Sequence, residues 1–119
     1  METQETATGP SLTHETPPEA ERLAVAADVF RLLSDPTRLH LLWVLGHREA
    51  DVTELTEACA ASRTAVSQHL AKLRLAGLVE SRKQSRRAIY RLRDGHLRRL
   101  VLEAVNHADH VVTGEPPHH

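Results

Sequence analysis

Apolar residues recur at helical spacing through most of this 119-residue chain and switch to strand spacing once, near residues 78–92. Leu23, Ala26, Ala27, Phe30 and Leu33 form the first stripe, behind Pro18, whose missing amide suits a first helical turn. Ser34-Asp35-Pro36 stops that helix and opens a second to about Leu45, with Leu39, Leu42, Trp43 and Leu45 apolar and Gly46 as its end. Thr53 is the expected N-cap of a short third helix through about Ala60, with Leu55 and Ala58 turned inward. Ser62 caps a fourth through about Ala76, where Val66, Leu70 and Leu73 give one buried edge before Gly77 closes it.

The period then shortens. Leu78-Val79 and Ala88-Ile89-Tyr90, with Leu92 two positions on, flank Arg82-Lys83-Gln84-Ser85-Arg86-Arg87. The pattern predicts a β-hairpin with a basic tip, although its turn has no Gly or Asn-Gly. Asp94 caps a last helix through about Val112, broken by Gly114-Glu115-Pro116-Pro117. Its stripe of Leu97, Leu100, Val101, Ala104, Val105, Ala108 and Val111 exceeds what a small core needs, which marks this helix for dimerisation. The expected fold is mainly α with a two-stranded β-wing: a winged helix-turn-helix in the order α-α-α-α-β-β-α, assembled as a homodimer. Residues 1–17, rich in Thr, Glu and Pro, are expected to be a disordered arm. Residues 18–112 are expected to form the winged-helix and dimerisation domain, and 113–119 a flexible histidine-containing tail.

Composition narrows the core and the compartment. With aromatics at 3%, the interior must be built from Leu, Val and Ala. No stretch reaches eighteen apolar residues and the N-terminus is polar and acidic, so neither a membrane span nor a signal peptide is expected. The single Cys59 leaves no internal disulfide and suits a reducing cytoplasm, the expected location. Formal charge changes the picture more. Residues 1–61 hold four Lys/Arg against eleven Asp/Glu, a net of −7, whereas residues 62–99 hold eleven against two, a net of +9. A near-neutral total thus conceals a basic segment of the kind that meets a phosphate backbone, the alternative being a solvated face without a partner.

That segment coincides with the fourth helix and the hairpin. Opposite Val66 and Leu70, helical phase places Thr64, Ser67, Gln68 and Ala71, suited to base edges in a major groove. Arg63, Lys72 and Arg74 flank them for phosphate, and Arg82, Lys83, Arg86 and Arg87 of the wing lie along the backbone or reach the minor groove. The last helix carries a second constellation: Asp94 and His96 at its start, His107 and His110 near its end. His96 and His107 are eleven residues apart, so they point the same way about 16 Å from each other, too far to share one ion. Both pairs can bind one ion only if the second comes from an antiparallel second chain. His96, Glu103, His107 and His110 share one border of the apolar stripe.

Leu-Ser-Asp-Pro-Thr-Arg-Leu at 33–39, Ser-Gln-His-Leu-Ala-Lys-Leu-Arg at 67–74, Gly-Leu-Val at 77–79 and Ile-Tyr-Arg-Leu at 89–92 resemble, in that order, the ArsR/SmtB family of bacterial metal-sensing winged-helix repressors. The resemblance covers about residues 20–112. It implies a dimer through the first and last helices that binds double-stranded operator DNA and releases it on metal binding, derepressing efflux genes. It implies no enzyme, no membrane and no organic substrate, and no His-Glu-x-x-His motif argues otherwise. Arsenic and cadmium sensors of the family carry a cysteine pair where this chain has Glu54-Leu55-Thr56-Glu57-Ala58-Cys59, so soft ions lose their ligands and Cys59 is expected to pack. The Asp94, His96, His107, His110 pattern resembles the family's zinc and nickel/cobalt sites. Asp109-His110 with the terminal His118-His119 resembles a nickel/cobalt arrangement in which Glu-His replaces Asp-His. Ni(II) or Co(II) is therefore favoured over the alternative Zn(II), with Asp109 competing with Asp94 as oxygen donor. His40 and His47 are expected to be structural or exposed, and His69 to pack or touch DNA. The rival functions are a winged-helix repressor answering a non-metal signal and a histidine-rich metal store.

Overall fold

Each stretch of helical period folds as a helix in the computed structural model, which describes residues 16–114. The order is α1 (Ala20–Leu33), α2 (Pro36–Leu45), α3 (Val52–Cys59), α4 (Arg63–Leu75), β1 (Val79–Gln84), β2 (Arg87–Leu92) and α5 (Gly95–Thr113). Most of the expected arm, residues 1–15, and the tail histidines His118 and His119 lie outside the described residues. The core is aliphatic, as the composition requires: Leu41, Leu42, Leu55, Val66, Leu70, Leu73, Val79 and Val101 are its largest fully buried side chains. The second helix sits at its centre and packs against α1, α3, α5 and β2.

Caps decide where the elements begin. Asp35 accepts from the Arg38 amide at 3.0 Å and Pro36 occupies the first turn of α2. Ser62 Oγ accepts from the Ala65 amide at 3.1 Å, as expected for α4. The expected cap of α3 was Thr53; the structure corrects it to Asp51. Its Oδ1 accepts from the Glu54 amide at 2.8 Å while Glu54 Oε1 accepts from the Asp51 amide at 2.8 Å. A reciprocal box satisfies two orphan donors where a threonine satisfies one. It starts α3 at Val52, and Thr53 instead accepts a hydrogen bond from Arg63 at 2.9 Å. Ala58, expected inward, is exposed.

The strands are longer than their apolar runs because cross-strand hydrogen bonding continues through the basic residues, pairing Val79 with Leu92 and Gln84 with Arg87. Ser85, at φ 58, takes the left-handed turn position that Gly or Asn adopts with least strain. Ala50 bridges Tyr90, their amides donating to each other's carbonyls at 3.1 and 2.8 Å, so the 46–51 loop holds the base of the hairpin.

Two stripes do not line the core of their own chain. In α1 only Leu33 is buried, while Leu23 and Phe30 are 56% and 59% exposed. In α5 only Leu97 and Val101 are buried, and Val111 is 68% exposed. Trp43, one of the apolar residues of α2, lies at the rim with 36% exposure.

Two outcomes test this scheme. Leu70→Ala should destabilise the fold by about 2–5 kcal/mol in urea denaturation, because its side chain is fully enclosed. The Asp35 and Asp51 carboxyls are held below the usual range, first by the amides they cap and, for Asp51, next by Arg87. A lowered folded pKa adds stability above the unfolded value of about 3.9 and loses it as pH falls through the folded value. Thermal melts should therefore show an acid-side loss in that window, shallower in Asp51→Asn.

Candidate nucleic-acid interface and metal-sensing helix

Burial of Val66, Leu70 and Leu73 on one side of α4 turns the opposite side to solvent. Thr64, Ser67, Gln68 and Ala71 are all exposed there, with Arg63, Lys72 and Arg74 exposed around them. These are the residue types that read base edges and grip phosphate, displayed on a 13-residue helix long enough to lie in a major groove. His69 does not share that face: it is half-buried with Nε2 3.8 Å from Asp35, so it packs α4 toward the start of α2. Leu75, at the end of α4, is 92% exposed, a feature the helical stripe did not signal.

The hairpin extends the basic surface. Lys83, just before the turn, and Arg86, within it, are exposed and pair with no acid among the described residues. The other wing cations are engaged. Arg82 Nη1 lies 2.6 Å from Glu49 Oε1, and Arg91 pairs with Glu80 at 3.0 Å. Arg87 donates from Nε to Asp51 at 2.7 Å and from Nη2 to Glu54 at 3.2 Å. Sequence reasoning missed Glu49, Asp51 and Glu54, which lie 33 to 36 positions before their partners and leave no local pattern.

On α5 the candidate ligands divide between its ends. Asp94 accepts from the Leu97 amide at 3.0 Å through Oδ1, as an N-cap. His96, His107 and Asp109 are exposed and His110 is half-buried. Among the described residues no three His, Cys, Asp or Glu side chains lie together closely enough to hold a metal ion. Near its start, α5 is tied to the rest of the molecule by Arg98, whose Nε donates to the Gly46 carbonyl at 2.7 Å. Between α2 and α5 lies an open cavity of about 580 Å³ lined by Trp43, His47, Glu103 and Asp109 among others. The His47 ring lies tilted by 50° against Trp43, centroids 4.3 Å apart, and accompanies it at the surface, and His40 is also exposed. Cys59 is half-buried and its thiol pKa is raised by desolvation, which suits a packing residue.

Comparison with known proteins supplies independent observations. Residues 35–81 match the model of the bacterial regulatory protein arsR family. The HTH-type transcriptional regulator KmtR of Mycobacterium tuberculosis is 44% identical over 99 residues, covering 83% of this chain and 76% of that protein. The cadmium resistance transcriptional regulatory protein CadC homolog of Staphylococcus aureus is 33% identical over 88 residues, 73% of each chain. Among solved structures, the homodimeric winged helix-turn-helix DNA-binding domain of Mb0332 from Mycobacterium bovis superposes with a TM-score of 0.72 at 30% identity, covering 84% of this chain and 93% of that one.

The two classes of α4 residue should separate in binding assays. Gln68→Ala should relax preference at one base pair by about 1–3 kcal/mol, whereas Lys72→Ala should weaken binding to all sequences and reduce the salt slope by about 0.9. Fluorescence anisotropy over a salt series, with matched and mutated duplexes, distinguishes them.

Proposed function

Because this chain belongs to the arsR family of bacterial regulatory proteins, a family of DNA-binding transcriptional regulators and not of enzymes, we propose that it is a metal-responsive repressor. In this proposal a homodimer binds operator DNA when metal-free and leaves it when Ni(II) or Co(II) occupies sites shared between the two last helices, derepressing efflux genes. Carrying the proposal is the character of α5: imidazoles on the border of an apolar face that the described residues of its own chain leave open.

The donor set fits borderline first-row ions. Imidazole and carboxylate suit Ni(II), Co(II) and Zn(II), and with one half-buried cysteine the chain lacks the thiolate cluster that a soft ion prefers. His96, His107 and His110 are the proposed nitrogen ligands, with Asp94 or Asp109 as oxygen donor and His118 and His119 as additional ones. A larger donor set favours six-coordinate nickel or cobalt. Zn(II) is the second reading, supported by the Asp94 cap: it uses Oδ1 and leaves Oδ2 for a four-donor set with the three helix histidines.

A bound ion supplies a bridge that favours one arrangement of the two helices over another. The chain supplies the rest. Thr64, Ser67 and Gln68 read bases; Arg63, Lys72 and Arg74 on α4, and Arg82, Lys83 and Arg86 on the wing, hold phosphate. If metal and DNA favour different arrangements of one dimer, each weakens the other's binding by the same factor.

Isothermal titration of the wild type should show tight binding of Ni(II) and Co(II), and His96→Ala should lower that affinity at least about tenfold. Equal affinities in both proteins overturn the proposal. In a gel shift with DNA from upstream of the gene, metal should release the wild type and not His96→Ala. In the visible spectrum of the Co(II) complex, weak d–d bands should appear; intense ones would select the four-coordinate zinc-like alternative.

A further inference from the structure

The cations of the wing are not equivalent, and Arg87 stands apart from the rest. Lys83 precedes the turn and Arg86 lies in it, neither with an acid among the described residues, and Arg82 has Glu49 there as its one carboxylate, at 2.6 Å. Arg87 spreads its guanidinium over two carboxylates, Asp51 at 2.7 Å and Glu54 at 3.2 Å. We propose that Arg87 is a positioning residue that aims the wing at DNA rather than a phosphate contact, and that Asp51 and Glu54 are its anchor. This rests on the operator-binding role proposed above and assigns one of that role's cations a different task.

An isolated exposed ion pair is too weak to keep a guanidinium from a phosphate backbone. The anchor of Arg87 is not isolated. Asp51 and Glu54 already fix each other through the capping box of α3, and the Asp51 side chain is only 16% exposed. Arg87 therefore meets carboxylates whose rotamer entropy has already been given up, which leaves more of each contact as net attraction. Its Nε and Nη2 use the planar fork of arginine, which a lysine cannot reproduce.

Position on the hairpin gives the anchor its effect. The last backbone link between the wing and the loop before α3 is the Ala50–Tyr90 bridge. From Tyr90 the strand runs back three residues to Arg87, about 10 Å of lever that, among the described residues, this side chain tethers to the start of α3. Arg87 pairs with Gln84 across the hairpin, so holding Arg87 holds both ends of the turn that contains Arg86 and follows Lys83. A cation that keeps its acids in the complex releases no counterion from DNA; Lys83 and Arg86 do.

The test uses the full-length chain and its own upstream duplex, by fluorescence anisotropy over a potassium chloride series. Asp51→Asn keeps an N-cap side chain and removes the charge facing Arg87; Arg87→Lys keeps the charge and removes the fork. Circular dichroism confirms that each folds, and Arg87→Lys carries the test alone should Asp51→Asn fail to. Both should bind several-fold more weakly at every salt concentration with the wild-type salt slope, whereas Arg86→Gln should lower the slope by about 0.9. Tighter binding by Asp51→Asn, from removing an acid and freeing an arginine, overturns the proposal. So does wild-type affinity in Arg87→Lys together with a reduced slope in Arg87→Gln, which would make Arg87 a phosphate contact. Unchanged binding in Asp51→Asn and Arg87→Lys would make the cluster a stability feature only, and also overturns it. A wild-type chain that binds no operator would be different: it removes the repressor role itself, whatever the variants do.

Discussion

Everything this protein presents to a partner depends on how one edge of α4 is buried. A 13-residue helix is marginal by itself in water, so its existence and its rotation both come from packing. Val66, Leu70 and Leu73 supply that packing against a core of Leu41, Leu42 and Leu55, each buried aliphatic side chain contributing roughly 1.5–3 kcal/mol. With three anchors on one side, Thr64, Ser67 and Gln68 can only face outward. The same core holds α3 behind α4 and, through the Asp51–Glu54 box, the acids that meet the wing. Recognition chemistry here is a consequence of where leucines are enclosed.

The complementary observation is apolar surface that the core does not use. A helix of 14 residues with one buried side chain gains little from its own chain, yet α1 carries Leu23 and Phe30. The far half of α5 shows Val111 and Val112 to solvent, the latter at 85% exposure. A two-fold dimer answers three requirements at once. It would give these faces something to bury against, bring the proposed histidine ligands of two chains together, and present two proposed recognition helices to two half-sites. The homodimeric relative from Mycobacterium bovis shows that this fold supports such an assembly.

Much of this was legible in the sequence because it is local. Helix periodicity, the Ser62 and Asp94 caps, and the outward set on α4 all follow from residues within a turn or two of each other, and each stands where it was expected. Misreadings arose where a local rule had a competitor. Thr53 is a fair N-cap by type, but Asp51 lies three positions before Glu54 and the reciprocal box prevails. Ala58 is small and apolar enough to face inward, yet α3 buries only Leu55 and leaves Ala58 exposed. Strand lengths were underestimated because ladder hydrogen bonds are indifferent to the charge of Arg82 and Lys83. Nothing local could pair Arg87 with Asp51 or Arg98 with Gly46, since those contacts exist only after the fold brings distant segments together.

That last contact bears on how a signal at α5 could reach α4. Arg98 lies two residues past His96, and the Gly46 carbonyl it engages ends α2 and opens the loop that carries Ala50 and Asp51. A displacement of the start of α5 therefore pulls on the end of α2 and, through the Ala50–Tyr90 bridge, on the base of the wing. α2 has four of its ten residues buried and touches most of the fold, and a close-packed interior of that kind resists bending. Strain entering there is more easily relieved by turning the protomer as a body than by reshaping α4 within it. On that reasoning a metal would leave the reading face of each chain intact. What it would alter is the separation between two such faces, which is the quantity a pair of half-sites measures.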